Sequence, residues 1–213
     1  MVTRSMDEIR ADYICAMGQE LGANFYELYR ELVGLHVLWQ QYRQLFGDTT
    51  DTVQLLNRTA GLFFKIVQDE LWDSVLLGVS RMTDPAVTGK NKNLTLQSLP
   101  SLITDSSLKA KIQDLCLKAV SAAEFAREHR NKRIAHQDHN YLSDRNSNPL
   151  SGISRVAVEN MLASIRDVMN RLDNHFRDNT VLYEDFIDDS GARLLVQKLN
   201  KLEQLQAITK GAP

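Results

Sequence analysis

The chain carries at residues 106–136 the stretch SSLKAKIQDLCLKAVSAAEFAREHRNKRIAH. Its first part, which follows Thr104 and Asp105, has apolar residues at helical spacing, and this predicts an amphipathic helix with one buried stripe. Its last ten residues, 127–136, hold four basic side chains and two histidines against Glu128 alone. The helix therefore delivers a basic and imidazole cluster. The predicted stripe consists of Leu108, Ile112, Leu115, Cys116, Ala119, Val120, Ala123 and Ala126.

Helical patterns also fill most of the remaining chain. Only 4 prolines and 10 glycines interrupt long stretches of Leu, Ala, Gln, Glu, Lys and Arg, a composition that favours helices over strands. Asp84 and Pro85 end one such stretch. The predicted class is all-α. The further helices are predicted at 5–46 with a break near Gly18 to Gly22, from caps at 48–51 to about Thr83, from Ser151 or Ser154 to about Arg177, and at 190–208.

Two polar segments, 84–105 and 137–152, are interpreted as long loops. In the first, Leu94, Leu96, Leu99 and Leu102 are expected to pack against the core. The chain has no internal repeat and no Pro/Ser-rich linker. We therefore expect a single helical domain over 1–213, with a core at 50–178 and a C-terminal helical appendage at 179–213.

Composition excludes several classes of function. A net charge of -2 and a pI near 6.2 exclude a protein that coats nucleic acid through bulk charge, so any RNA contact must be local. The start of the chain has no apolar signal region and no stretch reaches the ~20 apolar residues of a membrane span, which indicates a cytoplasmic protein with no membrane partner. Cys15 and Cys116 are expected to be buried free thiols. Phosphate-binding glycine loops and Cys-x-x-Cys pairs are absent from the sequence, and no cofactor is expected.

The basic cluster at 127–136 has a chemical and a structural interpretation. An arginine near a histidine can stabilise a phosphorane and move protons to or from a 2′-hydroxyl, which suffices to cut RNA without a metal. Alternatively, the cluster is a solvated helix end whose basic residues complement the helix dipole. On an ideal helix Arg130 and His136 lie about 120° apart. Pairing them therefore requires that the helix bends or ends, that the arginine reaches around it, or that the pair forms between subunits.

A resemblance to a known family favours the chemical interpretation. The run Arg130-Asn131-Lys132-Arg133-Ile134-Ala135-His136 resembles the signature of the HEPN superfamily, in which an arginine and a polar residue precede a histidine by a few positions. Three more runs make residues 60–140 similar to the U-type abortive-infection branch of that superfamily, which is associated with bacterial phage defence. These runs are Leu71-Trp72-Asp73-Ser74, Arg81-Met82-Thr83-Asp84-Pro85 and Lys92-Asn93-Leu94-Thr95-Leu96.

The resemblance implies a HEPN-like bundle of about four core helices, here with extra N- and C-terminal helices. It also implies a homodimer in which two motifs face one shared cleft. Active relatives are metal-independent endoribonucleases that leave 2′,3′-cyclic phosphate and 5′-hydroxyl ends, in abortive infection or as toxins. A nucleotidyltransferase-like antitoxin is a partner that the sequence leaves open.

The same resemblance assigns roles to the motif residues. Arg130 would bind the scissile phosphate of an RNA substrate, His136 would be the general acid or base, and Asn131 would orient one of them. The neighbouring basic residues Arg127, Lys132 and Arg133 would support RNA binding through their charge.

Asp73, Arg81 and Asp84 form a second polar group. Charged residues within an apolar helix are costly when unpaired, so Asp73 or Asp84 is expected to pair with Arg81 or to reach the basic cluster. Because Asp84 precedes Pro85, its main role is interpreted as that of a helix-end or turn residue. Trp72 is expected to pack in the core, since it fits the apolar periodicity.

Other functions remain open at this level. His129, His136 and His139 suggest a metal site, but their spacing does not bring three ligands together on one helix, and no metal is expected. The same basic face would also suit a non-catalytic HEPN-type module that binds RNA, a nucleotide or a protein. A third hypothesis is a structural or regulatory protein that dimerises through Leu55 to Val79 and Leu108 to Ala126.

Overall fold

The computed structural model of the chain describes residues 5–131, 154–185 and 190–211. These residues are almost entirely helical, which confirms the all-α class. The helices are α1 (Met6–Met17), α2 (Gln19–Phe46), α3 (Thr50–Thr83), α4 (Ser106–Ala122), α5 (Glu124–His129), α6 (Arg155–Arg177) and α7 (Ala192–Gly211). A two-stranded antiparallel hairpin, β1 (Val87–Thr88) and β2 (Asn91–Lys92), and a 3₁₀ helix (Leu96–Leu102) separate α3 from α4.

Local sequence signals set the predicted N-terminal break. The Ser5 hydroxyl accepts from the Glu8 amide while the Glu8 carboxylate accepts from the Ser5 amide, a capping box that begins α1. Gly18 then adopts φ 85°, in the left-handed region that favours glycine, and divides α1 from α2. Gly22 lets the two helices approach closely, because a Cβ there would lie 2.4 Å from the Tyr13 carbonyl oxygen. The predicted break near Gly18 to Gly22 is confirmed.

Helix α3 matches its prediction except at one residue. Thr49 begins it, because its Oγ1 accepts from the Thr52 amide at 3.1 Å. At Ala60 the backbone leaves helical geometry (φ -159°, ψ 64°), so the predicted continuous helix is wrong at this point. The helix ends at Thr83, directly before Asp84 and Pro85, as predicted.

The segment 84–105 is more ordered than the predicted loop. Asn93 donates through Nδ2 to the Pro85 carbonyl at 2.8 Å and to the Thr88 hydroxyl at 2.7 Å, and these bonds hold the hairpin closed. Leu96 and Leu99 of the 3₁₀ helix are buried as predicted and Leu102 is half-buried. Leu94 is exposed, so its predicted place in the core is wrong.

The described part of the quoted stretch, 106–131, contains two α-helices rather than one. Asp105 caps α4 by accepting from the Leu108 amide at 2.6 Å, and the buried stripe includes the predicted Leu108, Ile112 and Cys116. Helix α4 packs against α6. The helical path is interrupted at Ala123 before α5 continues towards the basic cluster. Helix α6 begins at the Ser154 cap and ends at Arg177, both as predicted.

The chain forms two compact units. Unit 1 comprises Met1–Leu35 and Leu76–Tyr183, and unit 2 comprises His36–Val75 and Glu184–Pro213. The division into a 50–178 core and a 179–213 appendage stays a prediction. In unit 2 the Trp72 ring lies 6.1 Å from the Trp39 ring and 5.3 Å from the Tyr42 ring, which confirms that Trp72 packs against other side chains.

A buried carboxyl group lies within unit 1 near the end of α6. Asp173 is fully buried and accepts from Asn179 Nδ2 at 2.6 Å, while Arg177 Nη1 lies 3.5 Å from its other oxygen. The Arg177 guanidinium also stacks 4.2 Å from the centre of the Tyr13 ring. Burial raises the pKa of Asp173, although Asn179 and Arg177 act in the opposite direction.

The two cysteines differ in burial. Both described thiols are free, but only Cys116 is buried; Cys15 is exposed, so its predicted burial is wrong. Burial raises the pKa of the Cys116 thiol to about 12.

None of the helices in the described ranges is both long and apolar enough to cross a membrane.

The raised pKa of Asp173 predicts a pH-dependent contribution to stability. As the pH rises above ~4, Asp173 ionises first in the unfolded chain while the folded protein keeps its proton, so folding loses stability through this interval. The free energy of unfolding of the wild type minus that of Asp173→Asn should therefore fall as the pH rises above ~4, measured by urea unfolding. A difference that rises with pH would contradict the assignment.

The two thiols should differ in reactivity. At pH 8 a thiol of pKa about 12 is ionised in about one molecule in ten thousand, and only the thiolate is alkylated readily. We expect iodoacetamide to label Cys15 in the folded protein and Cys116 only after unfolding in urea, as read by peptide mass spectrometry. Equal labelling of both in the folded state would refute the burial of Cys116.

Candidate functional site

The candidate site is built on the C-terminal end of α3. The last carbonyls of a helix lack partners within the helix, and Pro85 prevents the helix from continuing. Here the Thr83 carbonyl accepts from Gln97 Nε2 at 2.9 Å and from Arg127 Nη2 at 3.1 Å. The 3₁₀ helix and α5 are thereby both tied to the end of α3.

Asp84, the next residue, forms the centre of the charge arrangement. Arg130 Nη1 donates to its Oδ2 at 2.6 Å, and Arg127 Nε lies 3.8 Å from its Oδ1. The three side chains are only 22 to 26% exposed, so solvent screens these charges less than those of a surface pair. The two arginines are three residues apart and share one face of the helical turn. One carboxylate against two guanidinium groups leaves this face with a local charge of +1.

The backbone changes at the start of the motif. Arg130 and Asn131 form a π-helical turn after α5, and Arg130 Nε donates to Asn131 Oδ1 at 3.1 Å. The angle of about 120° between Arg130 and His136 assumes an ideal α-helix and does not apply across this turn. Lys132, Arg133 and His136 lie outside the described residues.

The remaining predicted site residues lie elsewhere. Arg81 forms an ion pair with Glu31, whereas Asp84 takes the other predicted alternative and reaches the basic cluster. The reason is geometric: Arg81 is exposed and its side chain meets a carboxylate of α2 in the same unit. Asp73 is half-buried and belongs to unit 2, whereas Asp84, Arg127 and Arg130 belong to unit 1.

Two structural interpretations of the sequence require correction. Arg127 and Arg130 are not a solvated helix face, because both guanidinium groups are mostly shielded and bound to the end of α3. Asp84 is not only a helix-end residue, since its carboxylate pairs with Arg130. Its expected contact with the basic cluster is confirmed.

Sequence reasoning missed the residues that hold the arginines in place. Thr83 is buried and its carbonyl receives Arg127, while its hydroxyl donates to the Val79 carbonyl at 2.9 Å. Gln97, 14 positions further on, supplies the second donor. Every residue has a backbone carbonyl, so the residue types do not reveal which carbonyl accepts from a side chain. The one indication in the sequence is Pro85, which implies that the carbonyls before it need partners.

Of the two histidines in the basic cluster at 127–136, the structure describes His129, which packs against other side chains. His129 is buried, with its ring 5.9 Å from that of Phe125. Within the described ranges, no group of three or more His, Cys, Asp or Glu side chains could hold a metal ion. His136 and His139, which the metal alternative also needs, lie outside these ranges.

The arrangement holds the Arg130 guanidinium in a fixed position, which suits it to bind an anion. A guanidinium has five N–H donors in a rigid plane, and Asp84 and Asn131 each accept one from Arg130. The group is thus fixed at two of its edges, which lowers the entropy lost when a phosphate binds.

Comparison with known proteins identifies one family. The family model described as AbiU2 matches residues 18–194, which is 177 of the 213 residues. The match extends well beyond residues 60–140 and includes α2, α3, the hairpin and the complete motif at 130–136. No significant match was found among curated proteins or solved structures.

The Asp84 ion pair should contribute measurably to stability. Replacing Asp84 by Asn leaves two shielded guanidinium groups without a counter-charge, and we expect the free energy of unfolding to fall by about 1–2 kcal/mol. The measurement is urea unfolding followed by circular dichroism.

Asp114→Asn is the matched control. Asp114 pairs with Lys118 at 2.8 Å on the exposed face of α4, where both side chains are more than half exposed. Its loss should cost less than about 0.5 kcal/mol. If the two variants lose the same free energy of unfolding, the Asp84 ion pair contributes no more to stability than an exposed surface pair.

Proposed function

The chain belongs to the AbiU2 family of HEPN-type abortive-infection proteins, and from this premise we propose that it is a metal-independent endoribonuclease. It would act in phage defence, or as a toxin, by cutting cellular or phage RNA. The observation that carries the proposal is that the arginine of the family-like motif, Arg130, is held in place by Asp84 from a segment 46 residues away. A guanidinium fixed in this way supports phosphate binding rather than a mere solvated charge.

The reaction follows from the residue types of the motif. The 2′-oxygen of the RNA attacks the adjacent phosphorus, the bond to the 5′-oxygen breaks, and a 2′,3′-cyclic phosphate and a 5′-hydroxyl result. His136 moves the proton that leaves the 2′-hydroxyl or the one that the 5′-oxygen gains. Arg130 stabilises the charge that accumulates on the phosphorane oxygens. No step requires a metal ion.

The residues around this pair have supporting roles. Asn131 orients Arg130 through the bond from Arg130 Nε to its side-chain oxygen. Asp84 acts as a positioning residue that keeps the guanidinium in place before RNA arrives. Arg127, Lys132 and Arg133 add positive charge for the RNA backbone, which the whole chain at a net charge of -2 does not supply.

The proposal includes partners. RNA is the substrate, a second copy of the chain completes the shared cleft, and a nucleotidyltransferase-like antitoxin would restrain the toxin form. Cytoplasmic action follows from an RNA substrate. The alternative is a non-catalytic module that binds RNA, a nucleotide or a protein partner through the same residues. The local charge of +1 that Asp84, Arg127 and Arg130 leave on this face supports it, since anion binding by charge needs no proton transfer.

The test uses purified protein and total cellular RNA in EDTA, with the new ends mapped chemically. The wild type should leave 2′,3′-cyclic phosphates. His136→Ala and Arg130→Ala should each lower the rate by at least about 100-fold, since they remove proton transfer and charge stabilisation, respectively.

Matched controls lie on the same unit. His175→Ala removes an exposed histidine of α6, and Arg30→Ala removes an exposed arginine of α2 that pairs with Glu27; neither should alter cleavage. Full activity of His136→Ala would exclude the mechanism. An inert wild type that binds RNA, with binding lost in Arg130→Ala, would establish the binding module instead.

A further inference from the structure

A groove on unit 1 lies between the 3₁₀ helix and α4, which pack against each other. Its volume is about 470 Å³. Sites that bind small molecules have volumes of about 300–1,000 Å³, and a cavity of about 150 Å³ already holds benzene. The groove is therefore large enough for a molecule with one or two rings, or for a short alkyl chain.

One wall of the groove is a single face of α4. Its lining residues are Lys109, Gln113, Cys116 and Leu117, which lie within an arc of about 100° around an α-helix. Cys116 is buried, Lys109 is half-buried, and Leu117 is 67% exposed. This wall therefore combines apolar surface with one positive charge.

The opposite wall is the 3₁₀ helix, which hydrogen bonds hold in place. The Ser101 hydroxyl donates to the Ser98 carbonyl at 2.8 Å, within the 3₁₀ helix. Cys116 Sγ donates to the Leu96 carbonyl at 3.3 Å, which ties α4 to this helix. Because both walls are fixed, an occupant does not have to order them. The lining residues on this side are Gln97, Pro100 and Ser101.

The extent of the lining selects a small molecule rather than a macromolecule. A protein partner contacts about 20–30 residues on each side of a standard interface, whereas seven described residues line this groove. Binding of an RNA backbone through charge requires several basic contacts. Lys109 is the one basic residue among the described residues of the lining, so an RNA backbone does not fit this requirement.

The charge of the lining selects an anion. The described residues that line the groove include no Asp or Glu, so Lys109 gives the lining a charge of +1. The two acidic residues nearest to it in sequence on this side of the chain are engaged elsewhere, since Asp105 caps α4 and Asp114 pairs with Lys118. A half-buried ammonium is screened less by water than an exposed one, which favours a carboxylate beside it.

We propose that this groove is a binding site for a small apolar acid, a molecule with one carboxylate on an alkyl chain or an aromatic ring. The carboxylate pairs with Lys109, and the side-chain amide of Gln113, one turn further along α4, donates to the same group. The apolar part covers Pro100 and Leu117. Because Leu117 is 67% exposed, its coverage removes apolar surface from water and stabilises the complex.

The groove adjoins the candidate site, although it uses different residues. Gln97 lines the groove, and its Nε2 donates to the Thr83 carbonyl, which also accepts from Arg127. An occupant therefore contacts a residue that completes the end of α3. The inference goes beyond the proposed ribonuclease and does not depend on whether RNA is cut.

The test is a titration of the isotope-labelled full chain with sodium octanoate, followed by proton–nitrogen correlation spectra. Octanol, which has the same chain length and no charge, is the matched ligand. Octanoate should shift the amide signals of residues 97–101 and 109–117 and leave those of α7 unchanged. The titration gives a dissociation constant for each ligand.

Lys109→Gln is the decisive variant, because it removes the charge and keeps most of the side-chain length. It should weaken octanoate binding about threefold to fivefold, the usual effect of one partly exposed ion pair, and leave octanol binding unchanged. Retained octanol binding also shows that the variant is folded. Leu117→Glu, which adds a negative charge at an exposed position of the groove, should weaken octanoate binding further than Lys109→Gln does.

Matched controls lie outside the groove. Lys118→Gln removes a lysine on the opposite face of α4, where it pairs with Asp114 at 2.8 Å. Val156→Glu adds a charge at another exposed apolar position of unit 1. Neither should change the affinity for octanoate.

Three outcomes overturn the inference. The first is the absence of shifts at 97–101 and 109–117, or shifts that spread instead over the exposed apolar residues of α3 and α7. The second is a Lys109→Gln protein that binds octanoate as tightly as the wild type. The third is an equal loss of octanoate affinity in Lys118→Gln, which would show that the groove does not read the charge of its ligand.

Discussion

The end of α3 is the point on which the described site depends. Pro85, two positions after the last residue of α3, prevents the helix from continuing and leaves carbonyls without partners, and Asp84 adds a negative charge where the helix dipole is already negative. Both are unfavourable when left uncompensated. Arg127 and Arg130 correct them together, because one guanidinium meets the Thr83 carbonyl and the other meets the Asp84 carboxylate.

This arrangement ties two segments that are far apart in the chain. The same bonds that complete α3 also fix the direction of Arg130, so that a structural need and the proposed phosphate-binding residue share one contact. The π turn at Arg130 and Asn131 follows directly, and such turns interrupt regular helix geometry where side chains must be aimed differently. An arginine held in this way is preorganised, so that a bound anion would not need to order it.

The sequence predicted the helices better than the contacts between them. Caps at Ser5, Asp105 and Ser154 and the left-handed Gly18 act within a few residues, and local patterns locate them well. The departure from helical geometry at Ala60 has no such signal, because alanine is the strongest helix former. The hairpin at 87–92 was missed because Asn93 closes it with side-chain bonds that propensity does not describe.

The site illustrates the same division. The motif at 130–136 could be recognised from residue types and order, and the contact of Asp84 with it could be expected from the cost of an unpaired charge. The partner of Arg81 could not, since Glu31 lies 50 positions away and one of several carboxylates had to be chosen. Pairing at long range depends on how helices cross, which periodicity alone does not specify.

Helix α7 extends this point from contacts to surfaces. Its apolar residues occur at both Val196 and Leu199, which pack within the unit, and at Leu205 and Ile208, which do not. In the sequence the two sets look alike. Hydrophobic spacing indicates which residues share a helix face, but it does not indicate what covers that face. Only the fold separates them, because it shows which side chains pack beside Leu56 and Phe64 and which stay on the surface.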